Sequence, residues 1–347
     1  MTKKIGRGGM LFFLFIALND MDVYGQGLGE TVQFIKSAEV KCTGQFPSIK
    51  DINSKKHRKR NIFSLIIGED NEELVLSKPM TVFSDAPGTF WVIDQGHEKI
   101  FRVSGDKGQI PKIFLREKQM FQSLVGISSI PGKGILFTDS RMNKIFLLKN
   151  DQKKIELFAD SVRLNQPTGI AYLPSRSEIW VVETAAHCIT ILDETGKKIR
   201  SFGVRGPGKG EFNFPTSIWI DKKGYVYVVD ALNYRIQVFD SDGNFKITFG
   251  EAGNSTGYFA LPKSVATDSY GNIYVTDALF HAVQIFDIKG RFLYSFGSQG
   301  RDTGQFWLPA GIFIDKQDNI YVADSYNARV QLFKLTNIVK ENETVQK

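Results

Sequence analysis

A repeat of 47 residues runs through the second half of the chain, and no other sequence feature constrains the fold as strongly. It is marked by a proline, an acid and a glycine that return at this spacing: Pro215, Pro262 and Pro309; Asp230, Asp277 and Asp324; Gly250 and Gly297. A repeat of this length indicates one small structural unit that stacks on copies of itself. Because such a unit cannot bury an apolar core alone, we expect several units to pack side by side.

Each unit has the pattern of four short strands. In the clearest copy these cover residues 217–220, 225–229, 235–239 and 245–249. The segments are rich in β-branched and aromatic residues, and the breaks between them carry Gly, Asp and Asn, which suit turns. Four-stranded units at a fixed period are typical of propeller blades.

Six such units can be aligned along the chain. They begin at Pro79, Leu124, Pro167, Pro215, Pro262 and Pro309, and their second strands end at Asp94, Asp139, Glu183, Asp230, Asp277 and Asp324. The sixth unit lacks a fourth strand, whereas residues 63–67 (FSLII) alternate like one. We therefore predict an all-β fold, a six-bladed β-propeller of four-stranded blades. An N-terminal strand, residues 63–67, would close the ring by joining residues 330–333 of the last blade, leaving no exposed sheet edge there.

Two of the units resemble the NHL repeat. The strings are NIYVADSYNARVQLF at residues 319–333 and GYVYVVDALNYRIQVF at residues 224–239, the latter followed by Gly250. The resemblance covers about residues 61–335 and implies a six-bladed propeller. It implies less about function, because NHL propellers include protein-binding platforms, RNA-binding modules and some metal-dependent lyases.

The N-terminal 25 residues have the pattern of a secretory signal. A basic start precedes a short apolar run, MLFFLFIAL, and small residues stand before Gln26. The run is too short for a membrane-spanning helix, although an uncleaved anchor or a buried segment stays open as an alternative. We expect a secreted or periplasmic protein with no transmembrane span in the mature chain.

Residues 26–60 match no blade and are interpreted as an extension that ends in a basic run, KKHRKR at residues 55–60. A solvated loop is the expected structure, and nucleic-acid binding is the weaker alternative, since the net charge is only +7. The propeller then covers residues 61–335, and residues 336–347 form a C-terminal tail. Two cysteines, Cys42 and Cys188, are too few for a disulfide framework, so they either pair or stay free.

Three histidines are the candidate metal ligands. His97, His187 and His281 fall in the turn after the second strand of the first, third and fifth units. Three imidazoles are a known zinc ligand set, and the lyases that this fold resembles use such ligands near the channel. Turns in alternate blades stand against this hypothesis, because direct coordination requires the nitrogens to meet within about 2 Å of the metal.

The starts of the six first strands should line the central channel. These residues are Met80, Val125, Thr168, Thr216, Lys263 and Ala310, so Lys263 is the only charge in the predicted ring. Several convergent carboxylates, as calcium sites require, are missing there. The six acids that end second strands recur once per unit, which favours a structural role in turns over a catalytic one. We expect no cofactor, and the pattern favours a binding scaffold over an enzyme without deciding between them. A zinc- or calcium-dependent lyase or hydrolase at the channel mouth is the alternative.

Aromatic residues on the links between units give the candidate binding surface. Phe212, Phe259 and Phe306 recur at the repeat spacing, which favours packing between blades. Phe214, Tyr258 and Trp307 vary between units and are the better candidates for surface contacts, together with Lys263. The sequence therefore predicts a monomeric scaffold that binds a protein or peptide on the face carrying the links and the second turns.

Overall fold

A computed structural model describes residues 39–47, 76–86, 88–104, 112–114, 121–150 and 155–336. These residues form six antiparallel sheets of four strands, which are the six predicted blades. Blade 1 contains β2 (Pro79–Ala86), β3 (Thr89–Asp94), β4 (Lys99–Ser104) and β5 (Lys112–Phe114). Blade 2 contains β6 (Leu124–Ile130), β7 (Gly134–Asp139), β8 (Lys144–Lys149) and β9 (Ile155–Phe158). Blade 3 contains β10 (Pro167–Leu173), β11 (Glu178–Glu183), β12 (Cys188–Asp193) and β13 (Lys198–Phe202).

The last three blades follow the same order. Blade 4 contains β14 (Pro215–Ile220), β15 (Val226–Asp230), β16 (Arg235–Phe239) and β17 (Phe245–Phe249). Blade 5 contains β18 (Pro262–Thr267), β19 (Ile273–Asp277), β20 (Ala282–Phe286) and β21 (Phe292–Phe296). Blade 6 contains β22 (Ile312–Ile314), β23 (Asn319–Asp324), β24 (Arg329–Thr336) and β1 (Glu39–Phe46). Two single-turn 3-10 helices, Ala231–Asn233 and Ser325–Asn327, follow β15 and β23, and no helix of the described residues has the length and apolar character to cross a membrane.

An N-terminal strand closes the ring as predicted, but the predicted segment was wrong. β1 pairs antiparallel with β24, in a register that places Cys42 opposite Phe333 and Phe46 opposite Val330. β1 therefore occupies the edge of β24 that was predicted for residues 63–67. Residues 63–67 lie outside the part of the chain that the structure describes. The predicted start of the propeller at residue 61 therefore left out β1, which is a strand of blade 6. A bulge between Cys42 and Gly44 interrupts the alternation of β1, so the strand has no clear period of two in its sequence.

The core lies between neighbouring blades. One cluster joins Trp180 and Ile191 of blade 3 to Val228 and Phe239 of blade 4, with Phe212 of the link between them. Phe212, Phe259 and Phe306 are completely buried, which confirms their predicted packing role. The repeated glycine follows from this packing: a Cβ on Gly250 would stand 2.3 Å from the Phe259 ring, and its φ of +90° also disfavours other residues.

Side-chain hydrogen bonds cross every boundary between adjacent blades in the described part of the ring. The commonest form is a Thr or Ser hydroxyl near the end of a second strand that donates to a carbonyl at the start of the next first strand. Thr138 donates to Thr168 O, Thr184 to Pro215 O and Thr276 to Ala310 O, each at 2.6 Å, and Ser325 donates to Pro79 O. Thr81 donates to Val125 O at 2.5 Å, and Ser217 faces Ser264 at 3.3 Å. The inner ring is thus fixed by polar contacts as well as by apolar packing.

Replacing Thr276 by valine tests these inter-blade bonds. Valine keeps the shape of threonine but leaves the buried Ala310 carbonyl and Ser264 N–H without the hydroxyl they now bond. We expect the free energy of unfolding to fall by about 1–3 kcal/mol, the usual cost of an unsatisfied buried group. Chemical unfolding measures it, with Thr248→Val as the control, because the Thr248 hydroxyl bonds Ile236 O at 3.0 Å on an exposed outer strand. Equal effects of the two changes would contradict the role of the inner bond.

Candidate functional site at the link face and channel

The face that carries the links and the turns after the second strands, called the link face here, is built on the repeated acids. Asp324 is completely buried and accepts the Trp307 N–H at 2.8 Å, the Asn327 amide at 2.9 Å and Arg329 Nε at 2.8 Å. Burial raises the pKa of Asp324, against the lowering effect of these donors. Asp230 accepts the Asn213 N–H and Arg235 Nε in the same way. These acids tie each link to its neighbouring turn, which is a structural role.

Blade 2 departs from this hydrogen-bonding arrangement. Asp139 accepts backbone N–H groups from Gln122 and Ser123, but Lys144, which follows it by five residues as Arg235 follows Asp230, bonds Asp160 at 2.6 Å. The acid therefore holds its link without the basic residue five positions later.

In the part of the chain that the structure describes, the three predicted histidine ligands are not brought together. His187 Nδ1 accepts the Phe214 N–H and His281 Nδ1 accepts the Leu308 N–H, both at 3.1 Å. His97 Nδ1 lies 3.5 Å from Asp94 of its own blade. Within the described ranges no three His, Cys, Asp or Glu side chains are grouped so that they could hold a metal ion. The physical reason is that two of these imidazoles are bonded to the link of the next blade, so each supports a local boundary.

The central channel opens on the link face as a cavity of about 450 Å³. All six residues predicted for the channel ring line it: Met80, Val125, Thr168, Thr216, Lys263 and Ala310. Neutral polar side chains add to the wall, including Gln95, Ser123, Ser140, Gln166 and Thr184. Among the described residues that line this cavity, Lys263 is the only one with a charge. The predicted ring is confirmed in position.

Two polar groups of this ring are left without partners. Lys263 is half-buried, and its ammonium group makes no hydrogen bond or salt bridge to the described part of the chain. Burial lowers the pKa of Lys263, and the nearby charge of Lys78 lowers it further. At the equivalent position of the adjacent blade, Thr216 Oγ1 is buried away from the cavity and has no hydrogen-bond partner among the described residues. The Lys263 ammonium group is thus the cation with unused bonding capacity on the channel wall.

Deeper in the channel an aromatic cluster narrows the passage. The rings of Phe83 and Phe313 lie 5.1 Å apart, and those of Trp219 and Phe313 lie 5.4 Å apart, in edge-to-face geometry. All three are half-buried and border both the link-face cavity and a second cavity of about 680 Å³ on the opposite face. Each stands three residues after a ring residue, where the other blades have Ser128, Ala171 and Ala266. These three aromatic residues were not predicted as part of the site. The change from small side chains to large aromatic ones at this position is the sequence signal that could have identified them.

The remaining predicted binding residues lie on the links. Tyr258 is 39% exposed. Trp307 is half-buried, with Arg301 at 5.0 Å from its ring and the Tyr326 ring at 6.4 Å. The centroid of the Phe214 ring lies 4.6 Å from that of His187, so Phe214 contributes to packing at the boundary between blades 3 and 4. The structure therefore separates Lys263, which lines the channel, from Tyr258 and Trp307 on the outer links.

Three further apolar side chains on the link face were missed. Leu232, Leu279 and Tyr326 are 45%, 55% and 55% exposed, and each stands two residues after the acid of its blade. Together with Tyr258 and Trp307 they form what we call the link-face apolar set, spread over blades 4 to 6. The repeat spacing of 47 residues was the signal that could have found them, because the same turn position is apolar in all three blades.

Comparisons with known proteins agree with the architecture. A family model, DUF5128, described as a 6-bladed beta-propeller, matches residues 159–249 and 262–344. No curated protein matches the chain in sequence. An auxiliary nutrient binding protein from Bacteroides thetaiotaomicron is a similar solved structure, with a TM-score of 0.61 and 13% identity over 76% of this chain and 70% of that one.

Two other solved structures are similar at the same level. A catalytically inactive virginiamycin B lyase from Staphylococcus aureus has a TM-score of 0.56 and 19% identity, covering 74% of this chain and 80% of that one. A chain of the nidogen/laminin complex has a TM-score of 0.54 and 19% identity, covering 71% of this chain and 86% of that one. At such identities the likeness establishes the fold alone.

Proposed function

We propose that this chain, which belongs to the DUF5128 family of six-bladed β-propellers, is a secreted or periplasmic scaffold that binds a protein or peptide partner on its link face. The blades would be of the NHL type, as the residues of the last units suggest. The export part of the proposal relies on the signal-like pattern of residues 1–25, which lie outside the described residues. The binding part relies on the link-face apolar set.

The observation that carries the proposal is the exposure of Leu232, Leu279 and Tyr326 at one repeated turn position. Large apolar side chains that remain in water on a rigid face cost solvation free energy, and groups of them commonly mark interaction sites. Tyr258 and Trp307 add aromatic surface of the kind that is enriched at interface centres. Lys78 beside Tyr326 and Arg301 beside Trp307 supply basic groups around this surface.

The alternative, a metal-dependent lyase or hydrolase at the channel mouth, has less support. It needs a set of convergent ligands, and the described residues do not bring His97, His187 and His281 together. The similarity to a lyase is matched by similarities to a nutrient binding protein and to a chain of a protein complex, so it does not favour catalysis.

Replacing Trp307 by alanine tests the binding surface. The backbone N–H of residue 307 would still bond Asp324, so the link should keep its structure. Once a partner has been captured with the intact protein and identified, we expect its Kd for the variant to rise by about 30-fold, the size of a moderate hot spot. Calorimetric titration gives the affinity, and thermal unfolding should show little change in Tm.

The matched control is Ile288→Ala, because Ile288 is 52% exposed on the opposite face of blade 5. It should leave both quantities unchanged. If Trp307 instead packs between blades, its variant will melt at a clearly lower temperature while the folded fraction binds normally. That outcome would remove Trp307 from the proposed surface.

A further inference from the structure

The channel cavity carries chemistry that a partner on the outer links does not explain. The Lys263 ammonium group stands on the channel wall without a hydrogen-bond or salt-bridge partner among the described residues. Placing an ammonium group in a half-buried position costs solvation, and the cost is recovered when an anion binds it. In the described lining no carboxylate is present to serve as that anion.

The aromatic cluster lies deeper in the channel than Lys263. Trp219 and Phe313 stand three residues beyond the ring positions of their strands, and strands rise about 3.3 Å per residue, so the aromatic cluster lies about 10 Å deeper. Its half-buried rings present flat apolar surface to the cavity. The site therefore offers one cationic end and one aromatic end.

We infer that the channel binds a small carboxylic acid with a flat apolar body. Its carboxylate accepts a hydrogen bond from the Lys263 ammonium group, and its body packs on Phe83, Trp219 and Phe313. The size agrees, since a cavity of about 450 Å³ falls within the range of small-molecule sites. This inference goes beyond the proposed partner binding and does not depend on it.

The charge of the site favours a monoanion. A single ammonium group with neutral neighbours compensates one negative charge, whereas a phosphate dianion needs more donors of the kind that Arg clusters supply. Lys78, the other basic residue nearby, is exposed and stands over the Tyr326 ring, outside the cavity lining. A carboxylate on an apolar body thus fits both ends.

Calorimetric titration of the full chain with 2-naphthoate and its neutral isostere 2-naphthamide tests the inference. We expect the acid to bind about 10- to 100-fold more tightly than the amide, the range for hydrogen bonds to charged groups. Lys263→Gln should abolish this preference. Trp219→Ala should weaken both probes alike, because both share the flat body. Lys289→Gln, at an exposed lysine in the turn of blade 5 on the opposite face, should change the affinity for neither probe.

Two further probes identify the source of the carboxylate. N-acetyl-Gly-Trp and its C-terminal amide present the same chemistry at the end of a polypeptide. If the peptide acid binds more tightly than naphthoate and loses its advantage in Lys263→Gln, the site takes a chain terminus; the reverse order supports a free acid. Equal binding of acid and amide in the unmodified protein, or no binding of any probe at millimolar concentration, would overturn the inference. Trp307→Ala should leave naphthoate binding unchanged, so failure here is distinct from failure of the proposed function.

Discussion

Deletion of residues 39–47 is expected to lower the free energy of unfolding by about 5 kcal/mol or more and to promote aggregation. β1 is the outer strand of blade 6, so its loss exposes the whole edge of β24. It also removes Val40 and Cys42 from the core of blade 6 and Phe46 from the boundary with blade 1. The Phe46 ring lies 6.0 Å from that of Phe90, so one strand joins the last blade to the first.

The matched control is deletion of residues 63–67, the segment that the sequence pattern had assigned to this edge. Because β1 already occupies the edge of β24, we expect that deletion to cost much less. Chemical unfolding and light scattering compare the two variants with the intact chain. A stable, monomeric Δ39–47 variant beside a strongly destabilised Δ63–67 variant would return the closing role to residues 63–67.

Replacement of Phe259 by alanine should have the next largest effect, about 3–5 kcal/mol, as for other buried aromatic residues. The Phe259 ring is completely buried, packs 5.5 Å from that of Phe286 and fills the space above Gly250. No neighbouring backbone can collapse readily into the gap, because the two blades that flank it are held by their own sheets. Unfolding midpoints measure the loss.

Leu293→Ala provides the comparison, since Leu293 is 44% exposed on β21 of blade 5. It should cost well under about 1 kcal/mol, as surface changes usually do. The equivalent changes at Phe212 and Phe306 should match that at Phe259 if the repeat reflects common packing. A loss at Phe259 as small as that at Leu293 would show that the link aromatic is not part of the core.

The repeated positions explain how much of the fold could be predicted from the sequence. A position that recurs every 47 residues serves a contact that every such blade makes, so the spacing alone could place Phe259, Asp230 and ring residues such as Thr216 and Lys263. The packing of blades imposes the same requirement each time. The number of blades, their strands and the channel lining all follow from such positions.

What escaped prediction departs from the repeat. β1 contains Cys42, a bulge and Gly44, so its period of two is broken and residues 63–67 looked more regular. The aromatic cluster uses Phe83, Trp219 and Phe313 in only three blades. For His187 and His281, the sequence indicated the turn in which each residue lies but not the direction of its imidazole. That direction is determined by the link N–H groups that donate to Nδ1.

We propose that the partner meets the link face and not the opposite face. Photo-crosslinking from two positions of blade 5 tests it directly: Leu279, 55% exposed on the link face, and Ile288, 52% exposed on the opposite face. A benzophenone amino acid is placed at each position in turn and irradiated with the identified partner at equal concentrations. If the link face meets the partner, position 279 should crosslink strongly and position 288 only weakly. Equal crosslinking from both positions, or a stronger crosslink from position 288, would contradict it.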